Sequence, residues 1–69
     1  MRDPARIDEI LELLRAVWTL EPDLRLGQLV YNAARIRDPE LSDVFSIEDS
    51  SLHKGLLRYL EQIHVDRKS

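Results

Sequence analysis

The sequence predicts an all-α fold: a compact three-helix domain with a short, acidic, partly extended connector between the second and third helices. Three observations predict it. Apolar residues recur at spacings of three and four through separate stretches, the period of a helix and not of a strand. Asp3-Pro4, Glu21-Pro22 and Asp38-Pro39 punctuate those stretches where helices start and stop. The chain has 69 residues, 43% apolar and 33% charged, so residues 1–69 are read as one small soluble domain.

The first helix is expected over residues 4–20. Asp3 can accept from the free amides of a first turn, and Pro4 sits where its missing N–H costs nothing. Ile7, Ile10, Leu11, Leu14, Val17 and Trp18 share one face, with Arg6, Asp8, Glu9, Glu12 and Arg15 mostly off it. Core packing is the expectation for Trp18. Leu13 and Leu20 lie outside the main face; exposed together, they would offer apolar surface for a protein contact. Pro22 disfavours helical backbone at Glu21, so the helix stops there and the chain reverses.

Asp23 is the expected cap of a second helix over residues 24–37, with an apolar stripe of Leu26, Leu29, Val30 and Ala33 extended by Ile36. Gly27 inside that helix costs about 1 kcal/mol against Ala, which points to close approach by another backbone. Asp38-Pro39 repeats the start signal, but Leu41 is the one large apolar residue near it, so a short turn over 39–43 is expected. The Val44-Phe45-Ser46-Ile47 stretch has strand-forming character without a second strand to pair with. It therefore reads as an extended segment that tucks Phe45 and Ile47 under the helices. The third helix, over residues 50–64, is capped by Asp49 or Ser50 and buries Leu52, Leu56, Tyr59, Leu60 and Ile63. Gly55 is a second point for close helix contact, and the chain frays past His64 into a mobile tail.

Charge is mild overall, at −3, but sorted along the chain. Residues 24–37 carry three basic and no acidic side chains, and residues 38–49 carry five acidic and no basic ones. Asp38, Glu40, Asp43, Glu48 and Asp49 are thus prospective partners for Arg25, Arg35 and Arg37. Exposed pairs of this kind contribute about 0–1 kcal/mol each, so they set geometry more than stability.

Several function classes are disfavoured. Without Cys there is no disulfide framework and no thiolate zinc site, which makes the cytoplasm the expected compartment. No apolar run approaches the roughly 20 residues that span a bilayer, and the N-terminus lacks a signal-peptide core. Asp38 and Glu40 alone match the alternate spacing of a calcium loop, with no glycine at the turn. His53 and His64, about 16 Å apart along a helix, cannot share a metal. Ser42, Ser46, Ser50 and Ser51 stand in no triad spacing, and Gly27 and Gly55 are too far apart for a phosphate loop. No enzyme, cofactor, metal or small-molecule substrate is expected.

The side chains that remain are suited to contact. Arg25, Gln28, Asn32 and Arg35 form one polar stripe on the second helix, of the types that pair with guanine and adenine edges. The acidic balance opposes phosphate binding, so a nucleic-acid reader is the alternative and not the main reading. An acidic mimic of nucleic acid that blocks a nucleic-acid enzyme is a further alternative. Tyr31, beside Asn32 and away from the centre of the apolar stripe, is a candidate anchor for a protein partner. A domain this small buries only about 60% of its unfolded surface, so a second copy would add burial to an undersized core.

The stretch Arg6-Ile7-Asp8-Glu9-Ile10-Leu11-Glu12-Leu13-Leu14, then Trp18, Glu21-Pro22-Asp23-Leu24-Arg25-Leu26-Gly27-Gln28-Leu29 and Ile47-Glu48-Asp49 resembles a family of small bacterial and phage proteins of unknown function. The first half also resembles the YihD-like proteins, which share a Leu-rich helix, a Trp and a Glu-Pro-Asp-Leu turn. The resemblance spans roughly residues 6–60 and implies a small helical bacterial or phage protein, without lending an activity or a functional residue. Taken together, the sequence predicts a protein-interaction module, working as a homodimer, an adaptor or an inhibitor. Its expected contact surface is Arg25, Gln28, Tyr31, Asn32 and Arg35 with the Glu48-Asp49 corner.

Overall fold

Asp3 starts the first helix as its side chain permits: its Oδ1 accepts from the Ala5 amide at 2.9 Å, just ahead of Pro4. In the computed structural model, which describes residues 3–68 and side chains as far as residue 66, helix α1 then runs Ala5–Leu20, α2 Leu26–Arg37 and α3 Asp49–Lys68. The protein is an all-α, three-helix fold, with no strand among the described residues. Pro22 ends α1 as expected: Glu21 leaves helical geometry, and its amide donates to the Val17 and Trp18 carbonyls.

Helix α2 starts later than Asp23 predicts. Arg25 is the N-cap residue, in extended conformation, and its amide donates to the Gln28 side-chain oxygen at 3.0 Å. That is the reach-back half of a capping box, and it needs no acceptor on the cap side chain. Helix α3 continues to Lys68 where fraying past His64 was expected. No Gly or Pro follows Gly55 in it, so nothing in the local chemistry stops it. The tail expected to be mobile is therefore helical as far as it is described, and Ser69 lies outside the described residues.

Helix α3 is the central element. Helices α1 and α2 each pack on it and barely touch one another. Arg6 at the start of α1 donates to Asp49 at the start of α3 at 2.7 Å, so those two helices begin at the same end of the molecule. The shortest dimension is 19 Å, about two helix diameters. An arrangement this thin leaves one side of each outer helix uncovered.

The core is correspondingly small. Val17, Leu29, Ala33, Leu56 and Ile63 form it, with Ile10, Leu13, Leu14, Leu20, Leu24, Leu52, Tyr59 and Leu60 partly buried against it. The α3 side chains are those the sequence predicts. The two glycines divide: a Cβ on Gly55 would collide with the Ala33 carbonyl oxygen of α2, whereas one on Gly27 would meet nothing within 4 Å. Close backbone approach is real at Gly55 and absent at Gly27.

The connector makes the short turn expected after Asp38, with the Leu41 amide donating to the Asp38 carbonyl at 3.1 Å and Asp38 Oδ1 accepting from the Glu40 amide at 3.2 Å. The segment from Val44 to Ile47 turns as well and is not extended: Asp43 Oδ1 accepts from the Phe45 amide at 3.0 Å, and the Ile47 amide donates to the Val44 carbonyl at 3.3 Å. Short acidic side chains favour such local turns, which compete with extended structure. Ile47 is half-buried, but Phe45 is 96% exposed and lies under no helix.

Candidate functional site

The polar stripe of α2 is at the surface. Arg25, Gln28, Asn32 and Arg35 are all exposed, and Tyr31 beside them is half-buried. Much of their bonding capacity is directed to the protein's own fold. Gln28 caps α2. Arg35 donates from Nη2 to the Pro39 carbonyl at 2.9 Å and lies over the Tyr31 ring, 5.7 Å from its centroid. The Tyr31 hydroxyl donates to the Leu41 carbonyl at 3.4 Å, and Asn32 Nδ2 reaches the Tyr59 hydroxyl at 3.5 Å. Arg35 and Tyr31 thus strap the connector to α2, through backbone carbonyls and not through the carboxylates the charge pattern suggested. Glu48 is exposed, whereas Asp49 is half-buried and paired with Arg6. The Glu48-Asp49 corner is therefore tied to α1 and not to the arginines of α2.

The largest difference from the sequence reading is on α1. Of the six apolar residues placed on its buried face, Val17 is buried and Ile10 and Leu14 are half-buried. Ile7, Leu11 and Trp18 are 49%, 55% and 37% exposed. Leu13 and Leu20, expected off the face, pack against the core instead. At about 100° per residue, the apolar positions of α1 from Leu20 round to Leu11 occupy roughly half of the helix circumference. A single neighbouring helix covers a stripe of about 100°, so α3 takes the Leu13–Val17 side and leaves the other bare.

Along that bare side Ile7, Leu11, Leu14 and Trp18 follow at spacings of four, three and four, the seam pattern of a coiled coil. A shallow surface depression lies there, lined by Leu11, Leu14 and Trp18 with Asp8, Glu12 and Arg15 along its edge. Trp18 is oriented by its indole N–H, which donates to the Leu24 carbonyl at 2.8 Å and ties the ring to the α1–α2 turn. The signal in the sequence was the excess width of the apolar arc, to which Leu13 and Leu20 already pointed.

The histidines are apart: His53 is half-buried beside Arg6, Glu9, Ile10, Asp49 and Ser50, and His64 is exposed. Among the described residues, no group of three or more His, Asp or Glu side chains could hold a metal ion, and no helix is long and apolar enough to cross a membrane. No family model, curated protein or solved structure matches this chain.

Proposed function

We propose that this protein is a non-enzymatic interaction module and that it engages its partner through the uncovered face of α1. One observation carries the reading: Ile7, Leu11 and Trp18, three large apolar side chains on one strip of a well-formed helix, remain open to solvent in a chain whose core is small. Apolar surface left in a continuous strip and edged by charge is characteristic of contact sites, and Trp is the residue type most enriched among binding anchors. The indole bond to Leu24 favours binding further, because a side chain already held in place loses less entropy on association.

The α2 stripe is the competing surface. Arg35 and Tyr31 have a structural task in holding the connector, which explains their types without a partner. The alternative in which Arg25, Gln28, Asn32 and Arg35 read nucleic acid has their exposure in its favour and the acidic connector fastened beside them against it.

The test is affinity capture with purified protein as bait, comparing Leu11→Glu with the double variant Arg25→Glu/Arg35→Glu. Loss of the partner with Leu11→Glu alone is the expected result. Loss with the α2 variant alone moves the contact to α2. Retention on DNA or RNA that weakens steeply with added salt would replace the reading with nucleic-acid binding.

A further inference from the structure

We infer that the occupant of the α1 face is a second copy of this chain, docked antiparallel about a two-fold axis. The inference rests on the reading of α1 as the contact face and goes on to identify the partner. Two facts about the seam argue for it. Its apolar positions are self-complementary when reversed: with the axis crossing between Leu11 and Leu14, Leu11 of each copy meets Leu14 of the other and Ile7 meets Trp18. The small residue stands opposite the large one at both ends, which fills the layers evenly.

The charges are self-complementary in the same register. Asp8 and Arg15 are seven residues apart on the one flank of the seam that faces solvent, and the opposite flank, Ile10 and Val17, is turned towards α3. A two-fold axis perpendicular to antiparallel helices keeps each flank on its own side, so Asp8 of each copy falls against Arg15 of the other. Both residues edge the depression that holds Leu11 and Trp18. A parallel pairing would instead set each of them against Ile10 or Val17 of its neighbour and leave no charge matched. Only the antiparallel arrangement uses both charges, and it uses each twice.

A single seam of about three helical turns covers less than the roughly 800 Å² per partner typical of tight complexes, so the dimer is a weak and concentration-dependent one. Its formation adds apolar burial where the monomer is shortest of it, and the sole tryptophan of the chain reports it directly.

The experiment is sedimentation equilibrium on the full chain at concentrations up to about 0.5 mM, a range in which even weak pairing is measurable. The wild type is compared with Asp8→Arg, with Arg15→Asp, and with an equimolar mixture of the two, helical content being checked by circular dichroism. Each single variant places like charges together twice and is expected to weaken self-association about tenfold. In the mixture, one copy presents two arginines and the other two aspartates, so a heterodimer of near wild-type affinity returns. A wild type that stays monomeric throughout overturns the inference, as does a dimer indifferent to both reversals or one that the mixture does not restore. A monomeric wild type that still captures another protein in a Leu11-dependent way overturns self-pairing and keeps the interaction reading. With neither dimer nor Leu11-dependent capture, both fall.

Discussion

Gly55 of α3 lies so close to Ala33 of α2 that a methyl group on it would strike the Ala33 carbonyl oxygen and stand 3.0 Å from its carbonyl carbon. Backbone cannot yield as a flexible side chain does, so Gly55→Ala must push α2 and α3 apart. Overpacking of this kind costs typically about 1–3 kcal/mol, more than the roughly 1 kcal/mol of helix propensity that Ala returns. The expected outcome is a Tm lower by about 5–10 °C. Gly27→Ala has open space and no positive φ to oppose it, so its expected Tm is unchanged or a few degrees higher. Scanning calorimetry on the two variants checks both signs.

Leu56 is fully buried and Phe45 almost fully exposed, so the larger side chain is the more dispensable one. Leu56→Ala is expected to cost about 2–5 kcal/mol, enough to unfold a domain of marginal stability. Phe45→Ser is expected to stay within about 0.5 kcal/mol of the parent. Urea denaturation followed by circular dichroism separates the two.

The pairing of Arg6 with Asp49 spans 43 residues of sequence and joins the starts of two helices. Both side chains are more than a third exposed, and solvent screening keeps such a pair weak. A double-mutant cycle of Arg6→Ala and Asp49→Ala is expected to return a coupling energy of about 0.2–1 kcal/mol that shrinks as salt is raised. A coupling of several kcal/mol would mean that the pair is sequestered from water and that the α1–α3 junction is tighter than described.

Trp18→Phe keeps an aromatic ring but removes the donor to the Leu24 carbonyl. A hydrogen bond of this type contributes about 0.5–1.5 kcal/mol, so Tm is expected to fall by about 5 °C, with the loss confined to the α1–α2 turn. Amide exchange around Glu21 and Leu24 is the local readout.

The helices were readable from sequence because their signals are local: a 3.6-residue period, Asp3 and Pro22 at the ends of α1, and a broad apolar face on α3. Leu52, Leu56, Tyr59, Leu60 and Ile63 turn inward as expected because α1 and α2 both pack on α3, while Leu57 and Val65, outside that set, stay exposed. Helix α1 was harder for the opposite reason. Its apolar arc is wider than one neighbour can cover, and which half faces inward is decided by where α3 lies, through nonlocal contacts such as Arg6–Asp49. The glycines show the same limit: Gly27 and Gly55 have equivalent sequence settings, and only the tertiary approach of Ala33 distinguishes them. Phe45 was misplaced because hydrophobicity alone does not bury a loop whose backbone is already satisfied by Asp38 and Asp43 turns. The α2 stripe was correctly placed at the surface, but its contacts with Pro39 and Leu41 depend on the path of the connector.

Helix α1 carries apolar surface that its own fold leaves open, at Ile7, Leu11 and Trp18, and the proposed second copy would cover it. A dilution series of ¹⁵N–¹H correlation spectra on the wild-type chain tests it most directly. Concentration-dependent shifts are expected at Ile7, Asp8, Leu11, Arg15 and the Trp18 indole, with α2 from Arg25 to Arg35 unmoved. Shifts centred on α2, or spectra that superimpose at every concentration, would contradict it.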